Sequence, residues 1–285
     1  MSNIDGLSAG TRGLPSPTRA SSNVEQAAPV PARTAQAPPA PPVTEPAATA
    51  PAGTERTAAV PADVTAVLLD YGGTLDGDAL HWFDRFVALY AQAGVAVPPL
   101  ALKDAFYAAD AALAAEPEVQ TYGLERMVRH HIHLQLTGLG IDDPALGRHI
   151  ADAFIADTRR AWARNRPLLS RLAGRFRLGV VSNSYGNMPT LLAEASLGPF
   201  ELVLDSALVG LRKPNPALYA LACARLRLAA PTILHVGDSW ERDVVPACAV
   251  GMQTAWLARP DVPMPVTPAP VWRLSSLLEL EALVP

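Results

Sequence analysis

Lysine is scarce in this chain of 285 residues. Lys103 and Lys213 stand against 21 arginines. A position that keeps an ammonium against that bias points to a need for a compact charge, which a planar guanidinium cannot meet. Cysteine is equally scarce. Cys223 and Cys248 form no Cys-x-x-Cys pair, and a reducing, cytoplasmic setting is expected. No apolar run approaches the roughly 20 residues of a membrane span, so no membrane association is expected. Met1 to Gly13 lack a basic n-region and an apolar h-region, which argues against a secretory signal. Net charge is −4 and no basic stripe is present, which argues against nucleic acid as a partner.

What is present divides into three parts. Residues 1–62 are rich in Ala, Pro, Ser and Thr and poor in large apolar residues, which reads as a disordered leader with polyproline character. Residues 81–166 repeat apolar residues at helical spacing: Phe83, Phe86 and Tyr90, then Leu102, Phe106 and Leu113, then Leu124, Met127, Val128 and His131, then Ile150, Phe154 and Trp162. About four amphipathic helices follow from that spacing, with breaks at Gly94, Pro98-Pro99, Pro117, Gly138, Gly140 and Pro144. Around them, residues 63–80 and 167–285 alternate short apolar runs with helical segments, beginning with a helix at Leu168. Strands joined by helices imply right-handed crossovers and a parallel sheet. The expected architecture is α/β: a Rossmann-like three-layer parallel sheet core with an inserted all-α cap after the first strand.

Four stations carry chemistry, each at or just after an expected strand end. Val67-Leu68-Leu69 delivers Asp70, followed by Tyr71-Gly72-Gly73-Thr74-Leu75-Asp76. Ser182-Asn183 ends a second strand. Lys213 precedes a helix in Arg212-Lys213-Pro214-Asn215-Pro216. Asp238 and Asp243 follow a third strand in Val236-Gly237-Asp238-Ser239-Trp240-Glu241-Arg242-Asp243. Open α/β sheets bind ligands at the carboxyl edge, where these stations would converge. Carboxylates bind hard Mg²⁺ through oxygen. A lysine and a metal ion neutralise phosphoryl charge, and a carboxylate can attack phosphorus to give an aspartyl-phosphate.

Over residues 63 to about 260, these stations in this order resemble the haloacid dehalogenase (HAD) superfamily, in its branch with a helical cap after the first strand. The resemblance implies catalytic roles for Asp70 and Lys213. It implies phosphate contacts at Thr74, Ser182 and Asn183, and an Mg²⁺ site from Asp70, the Gly72 carbonyl, Asp238 and Asp243. It implies removal of phosphate from a small phosphorylated metabolite through an aspartyl-phosphate. The departure is Gly72, where phosphatases of the family carry a second aspartate for proton transfer. Asp76, Asp78 and His81 are the nearest substitutes in sequence. Three other readings follow from the departure: a weakened phospho-ligand-binding or regulatory protein, a dehalogenase-like enzyme, or a phosphonatase with Lys103 as its only cap lysine. His130, His131 and His133 are read as helix residues without an evident carboxylate partner. Trp82 is the cap aromatic nearest the active-site loop, and Trp240 either shapes the pocket or packs as core.

Overall fold

The computed structural model describes residues 59–266 and 269–285. The leader expected over residues 1–62 lies almost wholly outside them. Six strands form one parallel sheet: β1 (Ala66–Leu69), β2 (Arg177–Ser182), β3 (Leu202–Asp205), β4 (Ile233–Gly237), β5 (Gln253–Leu257) and β6 (Trp272–Leu274). Their order is β3-β2-β1-β4-β5-β6, the doubly wound arrangement in which the chain returns to the opposite side of β1. β1 is fully buried at every position, as a central strand covered on both faces requires.

Side-chain alternation along β1 divides the core. Val67 and Leu69 join an apolar cluster that includes Leu168, Leu169 and Leu172. Ala66 and Leu68 face a second one with Leu218, Tyr219 and Ala247. The sheet therefore has a helical layer on each side. Gly179 of β2 makes this packing possible, because a Cβ there would sit 2.6 Å from a Leu68 methyl.

Four long helices separate β1 from β2: α1 (Trp82–Gln92), α2 (Pro99–Ala114), α3 (Leu124–Gly138) and α4 (Pro144–Ala173). α5 (Met188–Ala195), α6 (Ser206–Val209), α7 (Pro216–Leu226), α8 (Val245–Ala249) and α9 (Leu280–Leu283) alternate with the remaining strands. One sequence expectation needs correction. A new helix was expected after Pro167, but Pro167 lies inside α4. Proline in a helix interior costs about 3 kcal/mol. Here Trp162, Asn165, Leu168, Leu169 and Leu172 form one buried face across it, and that packing holds the helix together. The sequence boundary at residue 166 is thus not an end of a helix.

A buried arginine ties these helices to the turn after β1. Arg85 on α1 donates to the Asp76 carbonyl (3.2 Å), the Phe154 carbonyl (3.2 Å) and Thr158 Oγ1 (2.8 Å), and lies 3.5 Å from Asp76 Oδ2. Its guanidinium carbon stands 3.7 Å over the Phe154 ring. Asp76 is completely buried and also accepts from the Gly73 amide (2.7 Å) and Trp82 Nε1 (2.5 Å). Arg85→Met keeps the volume but leaves the Asp76 charge without its cation. Breaking a buried pair on one side costs about 3 kcal/mol or more, so the chemical-denaturation midpoint should fall accordingly. A loss below about 1 kcal/mol, the scale of an exposed pair, would refute this role.

Candidate active site

β1, β2 and β4 run parallel to one edge of the sheet, β2 and β4 extending two residues and one residue past the end of β1. Leu69 is paired with Val180 on one side and Val236 on the other. The residues just beyond therefore gather at one edge. The Asp70 amide continues the ladder to the Val236 carbonyl (2.9 Å), after which Gly73 turns the chain with φ of 83°.

Lys213 Nζ lies 2.6 Å from Asp70 Oδ1 and 2.5 Å from Asp243 Oδ1. Burial would lower the lysine's pKa, but Asp243 and Asp70 outweigh it and raise it, so the ammonium stays charged. For Asp243, burial works upward. It is overcome by Lys213 and by the bond to His235, which hold the carboxyl well below its usual range. Asp70 goes the other way: its burial exceeds the pull of Lys213 and raises its pKa.

Asp243 is tethered on both oxygens. Oδ1 also meets His235 Nε2 (3.2 Å) and accepts from the Tyr219 hydroxyl (3.3 Å), while Oδ2 accepts from the Ser239 amide (3.1 Å). Lys213 is fixed through its backbone as well. Asn183 Nδ2 donates to the Lys213 carbonyl (3.1 Å), and the Lys213 amide donates back to Asn183 Oδ1 (2.8 Å). Tyr219 and His235 were not singled out from sequence. A polar residue inside the run Ile-Leu-His-Val-Gly was the signal that could have found His235.

The chemistry of this donor set fits a hard cation. Oxygens of Asp70, Asp238 and Asp243 lie within 4.8 Å of one another. Asp238 Oδ1 is enclosed with no hydrogen-bond partner among the described residues, so it has a lone pair to offer. Two glycines make room for the carboxylates. A Cβ at Gly73 would stand 2.3 Å from Asp238 Oδ2, and one at Gly237 2.3 Å from Asp243 Cγ.

A cavity of about 550 Å³ opens over this cluster. Asp70, Gly72, Ser182, Asn183, Lys213, Asp238 and Asp243 line its floor side, with His81 and Trp82 beside them. Thr74 is not among the lining residues. It is fully buried and its Oγ1 has no partner. Trp240 packs against Trp256 with ring centroids 5.1 Å apart and does not line the cavity.

Of the three substitutes for an acid at position 72, Asp76 is sealed behind Trp82 and Arg85, and Asp78 pairs with Arg164 outside the cavity. His81 does line the cavity. Its Nδ1 accepts from the Phe83 amide (3.2 Å) and its Nε2 lies 3.2 Å from Arg242 Nη1. Burial, then Arg242, lower its pKa, which favours the neutral ring. Lys103 is exposed on α2 and away from the cavity. The histidine run also differs from its sequence reading. His130 meets Glu116 Oε1 (2.6 Å) and His131 meets Asp110 Oδ1 (3.0 Å), so both have carboxylate partners.

The family model of haloacid dehalogenase-like hydrolases matches residues 64–251. The chain belongs to this family of hydrolases. Pyrimidine 5'-nucleotidase YjjG of Escherichia coli is 30% identical over 120 residues, covering 41% of this chain and 53% of that protein. Phosphoserine phosphatase of Thermus thermophilus is 29% identical over 145 residues, covering 48% and 57%. The chain thus spans about half the length of these curated relatives. A solved dehalogenase structure with an intermediate complex aligns with a TM-score of 0.53 at 18% identity, covering 78% of this chain and 97% of that one, a likeness of fold. Among the described residues, no helix is long and apolar enough to cross a membrane.

A cation held by this cluster would have a distinctive pH signature. Burial first, then repulsion from Asp70 and Asp243, pushes the Asp238 carboxyl well above the ordinary range. Without a cation, protonated Asp238 favours the fold at low pH, and that advantage is lost as pH rises through the raised pKa. A cation competes with the same proton. Added Mg²⁺ should therefore raise the melting temperature more at about pH 8 than at about pH 5.5, and Asp238→Asn should remove most of the increase. An equal shift in the variant would exclude Asp238 as a ligand.

Proposed function

We propose that the protein is a Mg²⁺-dependent phosphohydrolase that releases phosphate from a small phosphorylated metabolite, with Asp70 as the nucleophile. The observation that carries this is the buried Lys213 ammonium held against Asp70, beside the unpartnered oxygen of Asp238. An anion entering the cavity would meet one fixed positive charge and a carboxylate aimed from a strand end.

Asp70, Asp238 and the Gly72 carbonyl are the groups we assign to the ion, which when bound would neutralise charge on the phosphoryl oxygens. Asp243, with both oxygens engaged by the protein, orients Lys213 in this reading. Asn183 fixes the same lysine through its backbone, and the Ser182 hydroxyl is assigned to phosphate. An Asp70 oxygen forms a bond to phosphorus while the bond to the leaving oxygen breaks, giving an aspartyl-phosphate. Water then cleaves that acyl phosphate to regenerate Asp70. The helices α1–α4 act as the cap over this chemistry.

No carboxylate stands at position 72 to protonate the leaving oxygen. Substrates with good leaving groups are therefore favoured. Measured by phosphate release, acetyl phosphate and para-nitrophenyl phosphate should turn over only with Mg²⁺, and Asp70→Asn should abolish both activities. Absence of Mg²⁺-dependent turnover across a broad panel of phosphates would overturn the proposal and leave a ligand-binding role.

Position 72 is open to the missing group. Its backbone angles (φ −70°, ψ 116°) suit any L-residue, and a Cβ would rest 3.7 Å from the Trp82 ring. Gly72→Asp should raise kcat on alkyl phosphates, by up to the roughly 10²–10⁴-fold typical of general acid–base catalysis. Flat turnover with Mg²⁺ still bound would mean that another group already moves the proton, with His81 the one in the cavity.

A further inference from the structure

Phe106, Met127 and Leu191 give the rest of the cavity wall a mostly apolar character. Asp110 on α2 interrupts it. Asp110 Oδ1 accepts from the Tyr185 hydroxyl and from His131 Nε2 (3.0 Å). His131 is completely buried, and Gln135 Nε2 donates to its Nδ1 (2.7 Å). The imidazole proton is thereby directed at Asp110. All the partners in this chain are hydrogen-bond donors to one oxygen. Asp110 Oδ2 has no protein hydrogen bond among the described residues, and the side chain keeps a third of its surface open.

The arrangement is built rather than incidental. Tyr185 sits on a loop pinned by Asp205, which accepts from the Gly186 amide (3.0 Å) and the Met188 amide (3.1 Å). His131 is stacked parallel to Phe86 with centroids 5.6 Å apart. Neither Arg212 nor Arg242, which also line the cavity, pairs with Asp110. The result is a braced carboxylate in a mostly apolar wall, paired with no arginine or lysine among the described residues and with one oxygen free.

We propose that Asp110, braced by Tyr185 and His131, is the specificity site of the cavity and receives a protonated amine on the leaving group. The substrate class is then a small amine-bearing phosphate, acyl or aryl in keeping with the good leaving group that Gly72 calls for. The ammonium end would meet Asp110 and the phosphoryl end would meet Lys213. This rests on the phosphohydrolase reading above. An apolar wall selects weakly by itself, whereas a carboxylate without its ammonium loses a charge-assisted bond.

The test uses the unmodified protein with Mg²⁺ and phosphonates, whose carbon–phosphorus bond replaces the scissile ester. Calorimetry compares ω-aminoalkyl-, ω-hydroxyalkyl- and methyl-ended alkylphosphonates over a series of matched short chains. The best amine should bind at least about tenfold tighter than its methyl-ended match, the scale of one charge-assisted hydrogen bond. The hydroxyl analogue should fall between them. Asp110→Asn keeps an acceptor for Tyr185 and His131, and the ratio should collapse toward one. Equal binding of amine and methyl-ended ligands, or of amine and hydroxyl ligands, overturns the proposal while leaving the phosphohydrolase reading intact. Failure of every phosphonate to bind also overturns this proposal, while phosphate release from acetyl phosphate decides the phosphohydrolase reading separately. The comparison of ligands needs no variant, so it decides the matter even if Asp110→Asn does not fold.

Discussion

A single ammonium enclosed between two carboxylates organises the active-site edge of this protein. Lys213 Nζ is within 2.6 Å of both Asp70 and Asp243, and its side chain is almost wholly removed from solvent. Desolvating a charge costs several kcal/mol unless partners replace the water. The partners come from different strand ends, so the contact fixes the Lys213 loop against β1 and against the turn after β4. A guanidinium would spread its charge over a plane and reach two oxygens from separate nitrogens. The narrow gap between Asp70 and Asp243 takes one nitrogen. That accounts for a buried lysine in a chain whose only other lysine, Lys103, is exposed.

The fold was largely legible because its signals are local. A buried strand such as β1 is an unbroken apolar run, and the alternation of such runs with helices implies a parallel sheet. The convergence of Asp70, Ser182 and Asp238 followed from strand-end placement once the strands adjoin, whereas Lys213 reaches the edge from the loop between α6 and α7. What could not be read depended on contacts between distant segments. Pro167 looked like a boundary because propensity counts residues singly, while a buried face running from Trp162 to Leu172 overrides it. Asp76 looked available for catalysis until Arg85 and Trp82 enclosed it. His131 looked partnerless because Asp110 lies 21 residues away in sequence. Tyr219 and His235 support Asp243 through the core of the sheet, and neither carries a motif that announces that.

The two ends of the cavity have opposite character. Its floor collects a lysine beside a cluster of carboxylate oxygens whose chemistry fits a cation. Its apolar wall carries a carboxylate held by Tyr185 and His131. The floor comes from strand ends, where register fixes positions closely. Asp110 and His131 come from α2 and α3, whose placement against the core is set by contacts such as Tyr185 with Asp110 and Asn187 with the Tyr122 carbonyl. Reaction type and selectivity are thus assigned to different parts of the chain, and either can change without rebuilding the other.

The glycines around the carboxylates differ in one respect that bears on how such a site can vary over time. Gly73 and Gly237 each face a carboxylate too closely for even a methyl group, so substitution there would displace a charge on which the whole edge depends. Gly72 has ordinary backbone angles, and a Cβ there would make only an ordinary contact with the Trp82 ring. Inheritance is therefore permissive at one position and forbidding at its neighbours. A single codon change could add or remove a proton-transfer group while the strand, the lysine and the cation oxygens stay as they are, which lets a lineage cross between different leaving groups without passing through an unfolded intermediate.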